Sequence, residues 1–103
     1  MVEIRPPPPI AVEFLKQQEA SRLKAYRDSA GVWTIGYGHT GPEVGPGMRI
    51  SQAMADRLLV DDLQIAAQRL AENASPETVA GLSDAQYACL LSFVFNAGAQ
   101  PGW

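Results

Sequence analysis

The feature that most constrains this fold is a segment that is apolar on almost every side. Polar side chains interrupt the run from Ala85 to Ala97 at only three positions, which are Gln86, Ser92 and Asn96. Ser83, with Gln86 three residues later, has the form of a capping box, which predicts a helix that begins there and ends at Gly98. A helix that is apolar all round is expected to be buried on every side. The rest of the chain must therefore be arranged around it.

The cover of this helix is an open question, because only Ala99–Trp103 follow it. Earlier elements wrap it, a partner chain covers it, or the sequence is cut short. Cys89, the single cysteine, lies within the apolar run and is expected to be an inert core thiol. One cysteine cannot form an internal disulfide, which excludes a disulfide-stapled secreted scaffold.

Size and charge exclude several classes of protein. A chain of 103 residues with 47% hydrophobic and 18% charged residues fits one globular domain. The net charge of −3 leaves no basic field to hold a nucleic acid. No apolar run reaches the roughly 18 residues of a membrane span, and no apolar signal-peptide core follows Met1. We therefore expect neither a nucleic-acid partner nor stable membrane insertion.

Periodicity and turn residues divide the chain into a proline-rich arm, residues 1–9, and one domain, residues 10–103. Pro6–Pro9 predict a short polyproline II arm, which is either a ligand for a proline-binding groove or a stiff lead-in to the first helix; we favour the lead-in. The first half of the domain is predicted to contain a helix over 9–21, followed by a hairpin of two strands, 23–28 and 32–40, around a turn at 29–31. A loop over 41–47 and a weak strand at 48–50 follow. A second helix, capped by Ser51, is predicted to reach residue 73, and a break over 74–81 separates it from the last helix.

The segment from Glu19 to Thr40 contains the residue types that glycosidic-bond hydrolysis needs. Glu19 ends the first helix, Asp28 stands beside the tight turn, and Thr34 lies on the returning strand. Because a hairpin folds back on itself, Asp28 and Thr34 can approach each other, and the helix end could place Glu19 over the same hollow. One protonated carboxyl group and one carboxylate facing a cleft can hydrolyse a glycoside. Glu13 is the alternative candidate for the acid. It is rotated by about 240° around the helix from Glu19, so it cannot face the same cleft and is expected to be a solvated surface charge.

Other residues near this segment have structural interpretations. The run Gly36–Gly41 matches the letters of a dinucleotide-binding motif, but no helix is predicted to begin after it, so its glycines are expected to keep a strand face bare. His39 is the single histidine, which argues against a metal site and predicts a hydrogen bond to Asp61 or Asp62. Trp33 and Tyr37 alternate with Thr34 and are expected to pack the hairpin. Tyr26 is either a sugar-stacking platform or a packing residue, and both interpretations remain open.

The same segment resembles the active-site segment of the phage-type lysozymes, the family that includes the lambdoid endolysins. The resemblance lies in Glu19-x3-Leu23-x-Ala25-Tyr26-x-Asp28-x2-Gly31-x-Trp33-Thr34-Ile35-Gly36-Tyr37-Gly38-His39-Thr40. It continues more loosely through Ile50-Ser51, Ala55, Leu58-Leu59 and Asp62-Leu63, which resemble the start of the family's long connecting helix. Leu82-Ser83, Gln86, Ala88, Ser92-Phe93, Phe95-Asn96 and Gly98 resemble its central buried helix.

The resemblance implies an α+β fold with a small lobe of helix and hairpin over 10–50, a connecting helix over 51–73, part of a helical lobe over 74–103, and a cleft between the lobes. It implies that Glu19 is the general acid, that Asp28 positions or activates water, and that Thr34 helps to hold that water. The implied substrate is the β-1,4 bond between N-acetylmuramic acid and N-acetylglucosamine in peptidoglycan, cleaved with inversion, without a cofactor or metal. The implied location is the host bacterial cytoplasm until holin-dependent release to the periplasm and cell wall.

The sequence departs from the family pattern in three respects. Ala20 stands where the family usually has glycine, the charge balance is acidic, and the family continues past this point with further helices. These departures keep a second hypothesis open, in which the chain is a truncated remnant that binds peptidoglycan with weak or no turnover. In that case the uncovered face of the last helix would promote self-association.

Overall fold

The computed structural model describes residues 4–97 and has the predicted α+β fold. The expected helix end at Gly98 and the residues after it lie outside the described part of the chain. Within that part the elements follow in the order α1 (Pro9–Gln18), β1 (Arg22–Arg27), β2 (Trp33–Gly36), β3 (His39–Thr40), α2 (Gln52–Asn73), α3 (Pro76–Ala80) and α4 (Asp84–Ala97).

The N-terminal arm leads directly into α1 and is anchored to the helical part of the fold. Pro9 is the first helical residue, where the missing N–H of proline costs nothing. The Arg5 guanidinium donates hydrogen bonds to the carbonyl oxygens of Val79 and Leu82 at 2.8 and 2.9 Å. It also pairs with Asp84 at 2.8 Å and stacks on the Tyr87 ring, with its central carbon 4.5 Å from the ring centroid. The arm is therefore held at the junction of α3 and α4.

The first helix ends at Gln18, three residues before the predicted end at residue 21. Glu19 caps it with extended backbone dihedrals, and its N–H donates to the carbonyl of Leu15 at 2.8 Å. The helix stops because the chain becomes extended to form β1, which begins at Arg22 and pairs with β2.

The three strands form one antiparallel sheet in the order β1-β2-β3. The single strand predicted over 32–40 is broken at Tyr37 and Gly38, where a second turn separates β2 from β3. Gly38 adopts a φ of +77°, a left-handed conformation that favours glycine and makes this turn possible. The weak strand predicted at 48–50 is reduced to an isolated bridge between Lys24 and Arg49.

The core has two parts. The larger part lies where α4 packs against α1 and α2, and the smaller part lies under the sheet around Ala25, Ile35 and Val44. The fully buried large side chains are Leu15, Ile35, Leu59, Leu63, Tyr87 and Leu91. Trp33 packs against the smaller part as predicted, whereas Tyr37 is buried in the larger part rather than packing the hairpin. The turn after β2 directs Tyr37 toward α2, where its hydroxyl accepts a hydrogen bond from Gln52 at 3.0 Å.

Both predicted helix caps are confirmed. The Ser51 hydroxyl accepts from the N–H of Met54 at 3.1 Å. Ser83 and Gln86 exchange the two hydrogen bonds of a capping box, at 2.9 and 3.1 Å. The predicted break over 74–81 contains the short helix α3, whose first turn is capped by Ser75.

The prediction that α4 is buried on every side is wrong. Leu90 and Phe93, which lie on one face of α4, are 39% and 64% exposed. The described elements pack against other faces of α4, chiefly from α1 and α2, and this face stays largely exposed within residues 4–97. Cys89 is likewise exposed, so it is not a core thiol. No helix between residues 4 and 97 is long and apolar enough to cross a membrane.

Candidate active site

Glu19 lies at the end of α1 in a turn that is tied to two other helices. On one side of it, the amide oxygen of Gln18 accepts a hydrogen bond from the buried Ser92 hydroxyl of α4 at 3.1 Å. On the other side, the Ser21 hydroxyl donates to Gln52 of α2 at 3.3 Å. The half-buried Glu19 carboxyl lies close to Gly38, since a Cβ atom built there would be 3.7 Å from Glu19 Oε2.

Asp28 follows β1, and the turn that it opens holds its carboxylate. Asp28 Oδ1 accepts hydrogen bonds from the N–H groups of Ala30 and Val32, both at 2.9 Å. The Asp28 N–H in turn donates to the carbonyl of Val32 at 2.9 Å. Within residues 4–97, no hydrogen bond reaches Oδ2, which leaves that oxygen able to accept a proton or bind water.

Thr34 lies on β2 and is 3% exposed. Its strand position places it opposite Tyr26 of β1 and Thr40 of β3. The Thr34 hydroxyl donates to the carbonyl of Val32 at 3.0 Å. Because its proton is used in this bond, its oxygen can act as an acceptor toward a bound water molecule.

These three side chains line one recess of about 180 Å³ between the sheet and the end of α4. The recess is lined by Glu19, Tyr26, Asp28, Thr34, Gly38, Thr40, Phe95 and Asn96. Glu13 is exposed on α1 and is absent from this lining, as the helical rotation predicted. Phe95 and Asn96 are not among the predicted site residues, although both belong to the motif that resembles the phage-type lysozymes.

His39 of β3 has the structural role that was predicted, and Asp62 is its partner rather than Asp61. Its Nδ1 lies 2.7 Å from Asp62 Oδ2, and its Nε2 lies 2.7 Å from Glu43 Oε1. Both ring nitrogens can donate to these carboxylates only when the imidazole is protonated. Partial burial lowers the pKa of His39, but the hydrogen bonds to Glu43 and Asp62 outweigh it and the pKa is raised. Burial raises the pKa of Asp62 more than its bond to His39 lowers it.

The other ligand-binding hypotheses receive no geometric support. Across residues 4–97, no three His, Cys, Asp or Glu side chains come together as a metal site would require. After Gly41 the chain runs through a loop, and the next helix begins only at Gln52, so no helix N-terminus faces the glycine motif.

Comparison with known proteins identifies the family. The family model for phage lysozyme matches residues 16–101. The chain is 43% identical over 89 residues to the endolysin of Salmonella phage P22, covering 82% of this chain and 58% of that one.

Solved structures agree with the sequence match. A P22 lysozyme variant superposes with a TM-score of 0.72 at 34% identity, covering 90% of this chain and 64% of that one. The muramidase domain of SpmX from Asticaccaulis excentricus gives a TM-score of 0.75 at 33% identity, covering 91% and 61%. The chain thus spans less than two-thirds of each of these relatives. Because the family model matches most of its residues, the chain belongs to the phage lysozyme family.

Proposed function

We propose that this chain hydrolyses the β-1,4 bond between N-acetylmuramic acid and N-acetylglucosamine in peptidoglycan. The observation that carries the proposal is the single recess that Glu19, Asp28 and Thr34 all line. Its supports are the similarity to an endolysin and to a muramidase domain. A bacterial cell whose wall is weakened in this way would lyse.

In the proposed mechanism, Glu19 donates its proton to the glycosidic oxygen as the bond to the anomeric carbon breaks. A water molecule that donates a hydrogen bond to the Thr34 oxygen attacks that carbon from the opposite face of the sugar. Asp28 Oδ2 takes the proton from this water, and its negative charge stabilises the oxocarbenium-like transition state. The products are two glycans, the new reducing end carries the inverted configuration, and solvent exchange resets both carboxyl groups. Proton NMR of the first product formed would distinguish inversion from retention.

A role of Tyr26 in sugar binding is supported by its position, since this residue lines the same recess. The Arg22 guanidinium lies 4.7 Å from the ring centroid and holds the ring in place. We propose that Tyr26 stacks against a sugar ring in the cleft. Replacing it with leucine, which keeps bulk but removes the aromatic face, should weaken glycan binding more than it slows the bound reaction.

A second candidate function is peptidoglycan binding with weak or no turnover. The observation that favours it is the exposed apolar face of α4 within residues 4–97, because a central helix that is packed on only part of its surface would hold the far wall of the cleft less firmly. The two functions differ in one measurable respect. A binding protein would sediment with purified cell walls without releasing new reducing ends.

The test is the loss of turbidity of outer-membrane-permeabilised Gram-negative cells. The parent chain, Glu19→Gln and Glu13→Gln are compared at equal concentration of folded protein. The Glu13 variant is a matched control, since it makes the same change within α1, outside the recess.

We expect the parent and the Glu13 variant to clear the cells and the Glu19 variant to leave them turbid while still binding cell walls. Clearing by the Glu19 variant at the parent rate would remove this residue from the mechanism. Failure of all three folded proteins to clear, with retained wall binding, would establish the second function.

The proposed location follows from this function. We propose that the chain is made in the host bacterial cytoplasm and reaches the periplasm and cell wall after holin-dependent release. Expression with and without a co-expressed holin, followed by fractionation, would test the route. Wall association that does not depend on the holin would contradict it.

A further inference from the structure

A second recess lies beside the proposed cleft. It has a volume of about 170 Å³, and it shares Gly38, Thr40 and Phe95 with the cleft as lining residues. Because these residues line both hollows, a group attached to a sugar in the cleft could extend into the second recess. This recess has no role in the mechanism proposed above.

One face of α2 forms a wall of this second recess. Asp62, Ile65, Ala66 and Arg69 follow each other at the spacing of a single helical face. Arg69 is the basic residue among the lining side chains. The carboxylate of Asp62 is held by His39 at 2.7 Å, which reduces its ability to pair with Arg69.

The Arg69 guanidinium is uncommitted in the described part of the chain. It makes no hydrogen bond there, and no acidic side chain lies within 4 Å of it. Its side chain is exposed, so the charged group can reach a ligand without displacing a protein partner. A guanidinium in this state binds carboxylates well, since its planar N–H groups can donate to both oxygens.

Peptidoglycan carries carboxylates of the kind that such a guanidinium binds. Each N-acetylmuramic acid carries a lactyl group that ends in a carboxylate or is extended by an anionic stem peptide, whereas N-acetylglucosamine is uncharged. With a net charge of −3, the chain as a whole repels such a substituent. A local cation beside the cleft would therefore decide whether the anionic substituent is accepted.

We propose that Arg69 is a specificity-determining residue that binds the carboxylate of the lactyl or stem-peptide substituent of N-acetylmuramic acid, with the second recess as the subsite. This inference rests on the proposed function and extends it from the sugar backbone to the group that distinguishes peptidoglycan from chitin. Arg69 takes no part in bond cleavage.

The test is calorimetric measurement of binding to three tetrasaccharides, on a Glu19→Gln background so that the ligand is not consumed. The first tetrasaccharide contains only N-acetylglucosamine, the second alternates it with N-acetylmuramic acid bearing free lactyl carboxylates, and the third adds stem peptides. Arg69→Ala, Arg69→Lys and Arg57→Ala are made on this background. Arg57 is an exposed arginine of the same helix that does not line the recess, so it controls for the loss of one positive charge.

We expect at least one carboxylate-bearing ligand to bind about fivefold more tightly than the uncharged one, the gain of a well-placed ion pair near the surface. The Arg69→Ala change should remove this preference, Arg69→Lys should keep part of it, and Arg57→Ala should keep all of it. The ligand that shows the Arg69-dependent gain identifies the source of the carboxylate, lactyl or peptide.

Equal effects of Arg69→Ala and Arg57→Ala, or the absence of any preference for carboxylate-bearing ligands, would overturn the inference. Failure of the proposed function has a separate readout, since the parent chain would then not clear cells in the turbidity test. A chain could retain the Arg69-dependent binding preference without turnover, or clear cells without any such preference.

Discussion

Asp62 of α2 and His39 of β3 join the long helix to the sheet through a 2.7 Å hydrogen bond. The His39 side chain is 13% exposed and the Asp62 side chain 21% exposed, so water screens this contact only weakly. The contact lies beside the proposed cleft, since Thr40 follows His39 and lines it. It is therefore expected to affect both the stability of the fold and its pH dependence.

The raised pKa of His39 predicts that stability declines as the pH rises. The folded chain binds the imidazole proton more tightly than the unfolded chain, whose pKa is about 6.5. The contribution of protonated His39 to the free energy of unfolding is therefore fully present below the unfolded pKa, and it is lost as the pH rises through the raised pKa of the folded chain. Urea denaturation between pH 5.5 and 8.5 should show this decline in the parent and a much flatter profile in His39→Gln. An equal decline in both proteins would assign the pH dependence to other groups.

Gly38→Ala is predicted to reduce both stability and lysis. Its φ of +77° is unfavourable for any L side chain, which costs about 1–2 kcal/mol. The new methyl group would also lie in van der Waals contact with the Glu19 carboxyl group, 3.7 Å from Oε2, and would take space from the sugar in the recess that Gly38 lines. Gly47→Ala is the matched control, because Gly47 has a φ of +83° and nothing within 4 Å of the added carbon. We expect similar losses of unfolding free energy for both, with an additional loss of turnover only for Gly38→Ala; equal turnover would argue against the contact with Glu19.

Ser92→Ala should loosen the turn that carries Glu19. It removes the hydroxyl that donates to Gln18 and leaves that amide oxygen without its partner from α4, at a cost of about 1 kcal/mol. We expect a lower kcat with little change in KM, because the acid is displaced while the sugar contacts remain. Ser92→Thr keeps the hydroxyl and should recover most of the rate. A rate in Ser92→Ala equal to that of the parent would show that the turn is held well enough without this bond.

Arg5→Ala should destabilise the helical part of the fold by about 1.5–3 kcal/mol, since three charge-assisted hydrogen bonds and the stacking on Tyr87 are lost together. Arg5→Lys should recover only a fraction, because one ammonium group cannot reproduce the forked geometry of the guanidinium. Thermal unfolding measures both effects. A melting temperature of Arg5→Ala within a degree of the parent would show that the arm contributes little.

Self-association through α4 remains a prediction. Leu90 is 39% exposed on the face that α1 and α2 leave open, and pairing two such faces would remove apolar surface from water. Sedimentation velocity should show concentration-dependent dimers that Leu90→Gln weakens. Met54→Gln is a control, since Met54 is 47% exposed on α2. A monomer at all concentrations would contradict the prediction.

Local signals in the sequence predicted the elements that depend on neighbouring residues. The caps at Ser51 and Ser83 were found because a side-chain oxygen and the N–H groups it serves lie within one helical turn. The end of α1 was misplaced by three residues, since its last turn is replaced by extended chain that pairs with β2. The family motif could be read directly because its residues lie close together in sequence.

Contacts between distant segments were decided only by the tertiary structure. The choice of Asp62 over Asp61 depends on the rotation of α2 relative to β3, about 100° per residue, which no local pattern encodes. Phe95 and Asn96 reach the recess because α4 packs against α1, whose end carries Glu19. Cys89 is exposed because a helix is buried only where another element covers it. The sequence by itself thus determined the three longer helices, the hairpin and the family, whereas packing between distant elements determined which side chains share the cleft.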